Sequence, residues 1–339
     1  MLIIDGQSEQ AGRSLLGTCL GLSMATQTPF RMENISTGSR GVGLSRRELS
    51  LILAANQVCG GDLDGAVMGS QTLSFRPGQV QAGHYDISIG MAGSVTEVLL
   101  CLLPALMQAD GGSSLLLQGG THIPGSPSFD FLQRVFIPVL EQMGPRLRLS
   151  LERPGFYPAG GGKISAEIEP AETSASWEIY DAGRSLKNSA TVLMAHGSKK
   201  IAQRQLEQVQ KKLSWKESEC HIELVRHSLG PGNVMILETV KENINALFCG
   251  YAGAHDSPQS ATIKAIESFR RFVAQRVPVS PMLAETVLLP LALTKGGEFR
   301  TTPLSLHSQQ QIPLIQRFLD VNISVEHSSR ADATVRVQN

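Results

Sequence analysis

Residues 92–118, AGSVTEVLLCLLPALMQADGGSSLLLQ, decide the fold, because they combine a helix, a glycine turn and a strand. Small residues precede the apolar run Val95–Met107, which favours a helix with a capped start. The Asp-Gly-Gly at 110–112 predicts a turn, and Ser114–Gln118 has the short apolar pattern of a buried strand. The stretch therefore predicts one compact α/β unit.

Two other stretches have the same organisation. Residues 11–32 open with Ala-Gly-Arg-Ser, continue as an apolar helical run and end in a strand-like Phe-Arg-Met. Residues 281–300 open with proline, continue as an apolar run, and end in a glycine turn and a strand-like Glu-Phe-Arg. A unit repeated at large spacing predicts one domain of three packed α/β units. Chance similarity between apolar helices is the alternative that the pattern alone leaves open.

Between the second and third units the chain is richer in lysine and in long amphipathic stretches. Residues 201–213 and 265–273 each place their apolar side chains near one helical face, and strand-like runs lie between them. Insertions are tolerated at exposed loops. We therefore predict an α/β protein in which residues 1–185 and 276–339 form the large domain and residues 186–275 form a smaller inserted α/β domain.

Composition limits the class of protein. The 339 residues include 30 basic and 30 acidic side chains, a net charge of zero, and 42% are hydrophobic, which excludes a disordered chain. A neutral chain lacks the basic excess that holds long nucleic acids, so no extended nucleic-acid surface is expected. Five widely spaced cysteines without a Cys-x-x-Cys pair predict free thiols. The longest apolar run is too short to span a membrane, and we expect a cytoplasmic protein without a membrane partner.

Glycine-rich segments follow one another in a distinctive order. They are Gly69-Ser70-Gln71, Ile89-Gly90-Met91-Ala92-Gly93-Ser94, Gly119-Gly120-Thr121, Phe156-Tyr157-Pro158-Ala159-Gly160-Gly161-Gly162 and Gly230-Pro231-Gly232-Asn233. In this order and spacing they resemble the RNA 3'-terminal phosphate cyclase family, and the resemblance extends from Asp5 to Leu319. It implies the same domain organisation that the repeated units predict independently.

The resemblance also implies a reaction and its cofactors. Members of the family use ATP and a divalent metal, Mg or Mn, to convert an RNA 3'-phosphate into a 2',3'-cyclic phosphodiester. A histidine is adenylylated first, and the AMP then passes to the RNA 3'-phosphate end. His307 occupies the position of that histidine, after the third unit and before a helix expected over 312–319. Without the resemblance, an ordinary loop histidine is the alternative.

The resemblance assigns nucleotide contacts in two parts of the chain. Leu100 stands where the family has a glutamine, and Pro127 matches a proline on one side of the adenine. Met282 replaces a tyrosine that stacks on the base. It opens the predicted nucleotide-binding segment Met282, Leu283, Ala284, Glu285 and Thr286, in which Glu285 is also a candidate near the metal.

The amino-terminal loop departs from the family pattern. Gln10 stands where the family has an acidic residue, so the neighbouring Glu9 is the candidate metal ligand. Gly17 stands in the position of an arginine, and Arg13 is expected to supply a cationic contact instead. The loop also lacks two of the family's glycines, which makes close approach of the backbone to phosphate harder.

An arginine-rich segment follows the first unit, with its arginines displaced by one residue from the family pattern. We expect Arg40 and Arg46, with Arg47 beside them, to bind the terminal phosphate of the RNA, since guanidinium groups suit that contact. A solvated helix start is the alternative for these arginines.

The leading hypothesis is an ATP-dependent RNA 3'-phosphate cyclase, and the sequence leaves open whether the altered amino-terminal loop impairs its turnover. The alternatives are a noncatalytic cyclase-like protein that binds RNA or assists ribosome assembly, and a nucleotidyl transferase with a changed acceptor. Retention of His307 favours nucleotidyl chemistry, because a noncatalytic relative has no need for the nucleophile.

Overall fold

A computed structural model describes residues 1–8, 15–35, 43–90, 93–253, 256–327 and 332–339. In these residues the strands form four sheets of four strands each. Three of the sheets belong to the repeated units and the fourth belongs to the insertion.

The first two units have one topology. Unit one contains β1 (Leu2–Asp5), α1 (Leu16–Thr26), β2 (Phe30–Glu33), α2 (Arg46–Cys59), β3 (Asp62–Asp64) and β4 (Leu73–Arg76). Unit two contains β5 (His84–Ser88), α3 (Val95–Leu106), β6 (Ser113–Gly119), α4 (Phe129–Phe131), a π-helical turn (Leu132–Phe136), α5 (Ile137–Gln142), β7 (Arg146–Arg153) and β8 (Gly162–Glu169). The sheet orders are β1-β2-β4-β3 and β5-β6-β8-β7, with the first pair parallel and the others antiparallel.

The third unit is interrupted after its first strand, β9 (Trp177–Ile179). The insertion contains β10 (Ser185–Ala195), α6 (Lys199–Leu213), β11 (Cys220–Val225), β12 (Gly232–Lys241), β13 (Ala246–Tyr251) and α7 (Pro258–Gln275). Its sheet order is β11-β10-β12-β13, in which β10 and β11 are parallel. Because these elements form one sheet with its own two helices, we propose 186–275 as the inserted domain and 1–185 with 276–339 as the large domain.

The chain then completes the third unit with α8 (Pro281–Leu293), β14 (Gly297–Thr301), α9 (Leu306–Phe318), β15 (Asn322–Glu326) and β16 (Ala333–Gln338). Its sheet order, β9-β14-β16-β15, repeats the pattern of the first two units, again with the first pair parallel. This shared topology confirms three repeated α/β units and excludes chance similarity of their helices.

The hydrophobic core joins the units and the insertion. Helix α1 packs on α3, α3 packs on α8, and α9 packs on both α8 and α1. One face of the inserted sheet joins this core through Leu193, Val234 and Ile236. The other face is covered by α6 and α7 and forms a second core that includes Trp215 and Phe269. The inserted sheet is therefore joined to the repeated units through one buried face.

Close packing of α1 on α3 requires a glycine at position 21. A Cβ atom there would lie 2.8 Å from the carbonyl oxygen of Cys101 and 3.2 Å from the Pro104 ring. We expect Gly21→Ala to lower the free energy of unfolding by about 1–3 kcal/mol, because the contact with a helix backbone outweighs the better helix propensity of alanine. Chemical denaturation measures the change.

Gly17 on the same helix is the matched control. A Cβ there would meet only Leu51 Cδ1, at 3.6 Å, which is an ordinary contact. Gly17→Ala is therefore expected to leave stability unchanged or to raise it by up to about 1 kcal/mol. Equal stability of the two variants would contradict the packing account.

Candidate active site

His307 lies at the start of α9 rather than in a loop. Ser305 is the N-cap residue, and its hydroxyl oxygen accepts a hydrogen bond of 3.1 Å from the Ser308 N–H. The histidine is the second residue of the helix and is only 8% exposed. The expectation that the helix begins near Ile312 was wrong. The cap residue begins the helix six residues before Ile312, and Pro313 lies inside it.

Glu285 is held beside this helix start. The Ser305 hydroxyl donates a hydrogen bond of 2.7 Å to Glu285 Oε1 in α8. The beginning of α8 is fixed in turn, because the Thr301 hydroxyl at the end of β14 donates to the Val279 carbonyl at 2.9 Å. The structure therefore brings together two predicted site residues, Glu285 and His307, through the cap of α9.

The predicted nucleotide-binding segment lies in the first two turns of α8. Leu283 and Ala284 are fully buried in the core, at 0% and 1% exposure. Met282, Glu285 and Thr286 are partly exposed, and the Thr286 hydroxyl donates to the Met282 carbonyl at 2.5 Å. Side chains that a ligand could reach are thus Met282, Glu285 and Thr286, and their nucleotide contacts stay a prediction.

The start of α9 also faces the start of α1. Gln311, one turn after His307, donates from Nε2 to the Thr18 hydroxyl at 3.3 Å. Thr18 lies in the first turn of α1, just after residues 9–14. The predicted residues Glu9 and Arg13 fall in 9–14 and lie outside the described residues, as does Arg40 in 36–42. Their roles stay predictions.

A second cluster forms around Pro127. Arg47 in α2 binds Glu97 in α3 with both arms of its guanidinium group, one of them a bond of 2.7 Å, and it reaches the Ser126 hydroxyl at 3.2 Å. The Thr96 hydroxyl donates to the Pro127 carbonyl at 2.6 Å. Arg47 is therefore committed to joining two units, and it holds the loop that carries Pro127.

The two other predicted residues of this region differ in exposure. Leu100 lies three residues after Glu97 in α3, is partly exposed and packs against the main core. Arg46 begins α2, is exposed, and forms no salt bridge within the described part of the chain. Arg46 is thus available to a phosphate, whereas Arg47 is held by protein groups.

A buried network that sequence analysis missed adjoins the Pro127 loop. His122 is 1% exposed, and its Nε2–H donates to Asp130 Oδ2 at 2.8 Å. Arg134 binds Asp130 Oδ1 at 2.9 Å and Glu238 Oε2, on the inserted domain, at 3.2 Å. Burial raises the pKa of Asp130, but the hydrogen bond and charge of His122 with the charge of Arg134 outweigh it and lower that pKa below its usual value.

His122 directly follows the glycine-rich segment 119–121, a position that favours a surface or turn role, but its side chain is enclosed. The i, i+4 spacing of Asp130 and Arg134 was the available sequence signal for part of this network. Glu238 is distant in the sequence, so no local pattern could have included it.

Metal and thiol chemistry is limited in the residues that the structure describes. Among them no group of three or more His, Cys, Asp or Glu side chains could hold a metal ion. All five cysteines are free, as predicted, and burial raises the pKa of the Cys101 and Cys249 thiols to about 12. These two thiols stay protonated and unreactive at neutral pH.

No helix within the described ranges is long and apolar enough to cross a membrane.

Comparison with known proteins gives matches along nearly the whole chain. The family model described as RNA 3'-terminal phosphate cyclase matches residues 8–325. A protein named RNA 3'-terminal phosphate cyclase from Koribacter versatilis is 39% identical over 325 residues, which is 96% of this chain and 92% of the relative. Relatives of the same name from Pseudomonas fluorescens and Ectopseudomonas mendocina are 39% identical over 321 residues and 36% identical over 312 residues. These matches cover 95% and 92% of this chain and 94% and 91% of the relatives.

Proposed function

Because the chain belongs to the RNA 3'-terminal phosphate cyclase family, we propose that it is an ATP-dependent RNA 3'-phosphate cyclase. The observation that carries the proposal is an enclosed histidine, His307, at the start of a long helix in a chain that matches the family along nearly its whole length. The proposed class is a ligase that acts in RNA processing. A cytoplasmic location stays a prediction.

In the first proposed step, an imidazole nitrogen of His307 attacks the α-phosphorus of ATP. An N–P bond forms, the bond from that phosphorus to the bridging oxygen breaks, and pyrophosphate leaves while the ring releases a proton to solvent. Nucleophilic catalysis of this kind divides one difficult transfer into two easier ones.

In the second step, an oxygen of the RNA 3'-phosphate attacks the phosphorus of the histidine-bound AMP, which frees the imidazole and forms an RNA adenylate. The neighbouring 2'-hydroxyl then attacks the activated 3'-phosphorus, loses its proton, and expels AMP as the ring closes. The 2'-hydroxyl requirement restricts the substrate to RNA ends.

The position of His307 supports this chemistry. The amino-terminal turn of α9 carries backbone N–H groups and the positive end of the helix dipole, which favour a negatively charged phosphate. Ser305 and Glu285 fix the first turn of the helix through the 2.7 Å hydrogen bond between them. We assign Glu285 a positioning role for the helix start, with contact to the nucleotide or metal as part of the proposal.

The proposal includes a divalent metal, because carboxylates and substrate phosphates are suitable ligands for one. Mg²⁺ usually binds through one or two carboxylates, water and the phosphates of its substrate rather than in an all-protein cage. That coordination agrees with the lack of a three-ligand cluster among the described residues. Glu9 would hold the ion, which would neutralise charge on the ATP phosphates. Arg13, Arg40 and Arg46 are the proposed contacts to the phosphates of the substrates.

The nucleotide pocket predicts a gain-of-binding variant. Met282 is partly exposed near the start of α8, where an aromatic ring could stack on the base. We expect Met282→Tyr to tighten ATP binding about 3- to 10-fold, the range that a favourable ring stack supplies. Leu100→Gln is expected to act in the same direction. Calorimetric titration with ATP measures both.

The control for this prediction is Leu224→Tyr, which adds the same ring at a 50% exposed leucine of the inserted domain. This variant should bind ATP like the unaltered protein. Unchanged or weaker binding by Met282→Tyr and Leu100→Gln would show that the adenine lies elsewhere.

The proposed function is tested on RNA ends. Three otherwise identical RNAs, ending in a 3'-phosphate, a 3'-hydroxyl, or a 3'-phosphate next to a 2'-deoxyribose, are incubated with the protein, ATP and Mg²⁺ or Mn²⁺. We expect cyclic ends only from the first, as resistance to phosphatase. Absence of cyclic ends from it would overturn the proposal.

A further inference from the structure

Charge is divided unevenly between the two proposed domains. Residues 186–275 contain 12 basic and 8 acidic residues, a net charge of +4, whereas the rest of the chain contains 18 basic and 22 acidic residues, a net charge of −4. The zero net charge of the whole chain therefore conceals a basic inserted domain on an acidic large domain. A local surface of this kind can attract a polyanion even though the average charge does not.

Four of these cations gather at one end of the inserted sheet. Strands β10 and β11 are parallel, and their last residues, Ala195 and Val225, are paired. Helix α6 connects them, so its start and the loop after β11 lie at the same end, where His196 Nε2–H donates to the Ser228 carbonyl at 2.9 Å. We call this surface the basic patch; its residues are Lys199, Lys200, Arg204 and Arg226, all exposed. The carboxyl ends of parallel strands are where α/β sheets commonly bind ligands.

The cations of the basic patch are not used within the fold. In the part of the chain that the structure describes, none of the four forms a salt bridge. Four arginines of the large domain differ in this respect, because Arg47, Arg134, Arg300 and Arg336 each bind a carboxylate. The basic patch thus presents positive charge that no described carboxylate neutralises.

The basic patch adjoins the loops of the candidate site. In the segment that follows β11, Leu229 covers Gly161, where an added Cβ would lie 2.4 Å from Leu229 Cδ1. Three residues after Leu229, Gly232 lies against the Phe156 ring, and that ring stacks on His122 at 5.5 Å. His122 belongs to the loop that carries Pro127. The segment after β11 therefore packs on residues 156–162, and Phe156 in turn packs on the segment that leads to Pro127.

We infer that the basic patch binds the phosphodiester backbone of the substrate RNA, a few nucleotides on the 5' side of its terminal phosphate. This inference rests on the proposed function, which supplies an RNA end at the site. Exposed lysine and arginine without protein partners match the regularly spaced charges of a single strand, and they need no sequence preference. The proposed contact covers only a few nucleotides, which agrees with the zero net charge of a chain that is not expected to bind long nucleic acids along an extended surface.

The test compares two triple variants of the full chain. The first, Lys199→Gln with Lys200→Gln and Arg226→Gln, removes three charges from the basic patch. The second, Lys211→Gln with Lys212→Gln and Lys216→Gln, removes three exposed charges at the other end of α6, about 18 Å away along the helix. Both variants have the same net charge, so bulk electrostatics cannot distinguish them.

Binding is measured for a 3'-phosphorylated trinucleotide and for a 3'-phosphorylated RNA of about 15 nucleotides, at several salt concentrations. We expect the basic-patch variant to bind the longer RNA about tenfold more weakly, with a salt dependence flattened by about two units of logarithmic slope. The basic-patch variant should bind the trinucleotide as tightly as the unaltered protein does. The control variant should bind both RNAs as tightly as the unaltered protein does. Equal weakening by both variants would overturn the inference. No weakening by the basic-patch variant would also overturn it, and would favour an acidic protein as the partner that binds the basic patch.

Failure of the proposed function would look different. Covalent labelling by α-labelled ATP does not depend on the basic patch, so both triple variants should retain it. If the unaltered protein is not labelled, the cyclase proposal is contradicted. If it is labelled but the basic-patch variant binds RNA as tightly as the unaltered protein, only the inference about the basic patch is contradicted.

Discussion

Replacement of His307 by alanine will abolish covalent labelling of the protein by α-labelled ATP and will lower the rate of RNA cyclisation by about 10⁴-fold or more. The reason is that an imidazole nitrogen of His307 forms the proposed N–P bond, and alanine has no nucleophile to replace it. Acid-labile label retained on the protein after denaturation measures the first effect. Conversion of 3'-phosphate ends under saturating ATP measures the second.

The matched control is His84→Ala, which removes an exposed histidine from β5, whose Nδ1 lies 2.9 Å from the Ser114 hydroxyl. Labelling and cyclisation should not change in this variant. Because His307 is enclosed, unfolding of both variants is compared as well, and similar midpoints would assign the loss to chemistry. Full labelling of the His307→Ala protein would place the nucleophile elsewhere.

Replacement of Asp130 by alanine will lower the free energy of unfolding by about 3–5 kcal/mol, the largest stability effect that we expect from removing one charged group. The change leaves the buried His122 Nε2–H without its acceptor at 2.8 Å. It also leaves Arg134 with only one of its two carboxylates, Glu238 on the inserted domain. Denaturant unfolding at neutral pH measures the effect.

Glu242→Ala is the control, because it removes a carboxylate that pairs with the exposed Arg184 on the surface. Surface pairs contribute little, so this variant should unfold near the midpoint of the unaltered protein. A loss as large as that of Asp130→Ala would contradict the argument from burial.

The stability supplied by Asp130 has a defined pH dependence. Its pKa is lowered in the folded state, so the contribution is complete above the unfolded value of about 3.9 and is lost as the pH falls through the folded-state pKa. The stability difference between the unaltered protein and Asp130→Asn should therefore shrink in acid.

The repeated units could be predicted from sequence because their signals are local. Apolar periodicity and glycine turns placed α3 over Val95–Met107, and the structure has it over Val95–Leu106. The helix expected over 201–213 is observed over Lys199–Leu213. In both cases the residues that decide the structure are neighbours in the chain, so no tertiary contact was needed.

The parts that sequence analysis missed depend on competing or distant signals. At α9 the helix was expected to start near residue 312, but the Ser305 cap and its bond to Glu285 set the start at Leu306. The network of Asp130 and Arg134 is completed by Glu238 of β12, 104 residues from Arg134. The net charge was likewise an average over residues 186–275 and the rest of the chain, which have opposite net charges.

The most direct test of the central claim is a single-turnover chase. The protein is labelled with α-labelled ATP, freed of unbound nucleotide, and mixed with RNA ending in a 3'-phosphate. The account predicts that the label leaves His307 as free AMP, in equal amount to the 2',3'-cyclic ends that form, and that RNA ending in a 3'-hydroxyl leaves the label in place. Label that stays on the protein in the presence of the 3'-phosphorylated RNA would contradict the account.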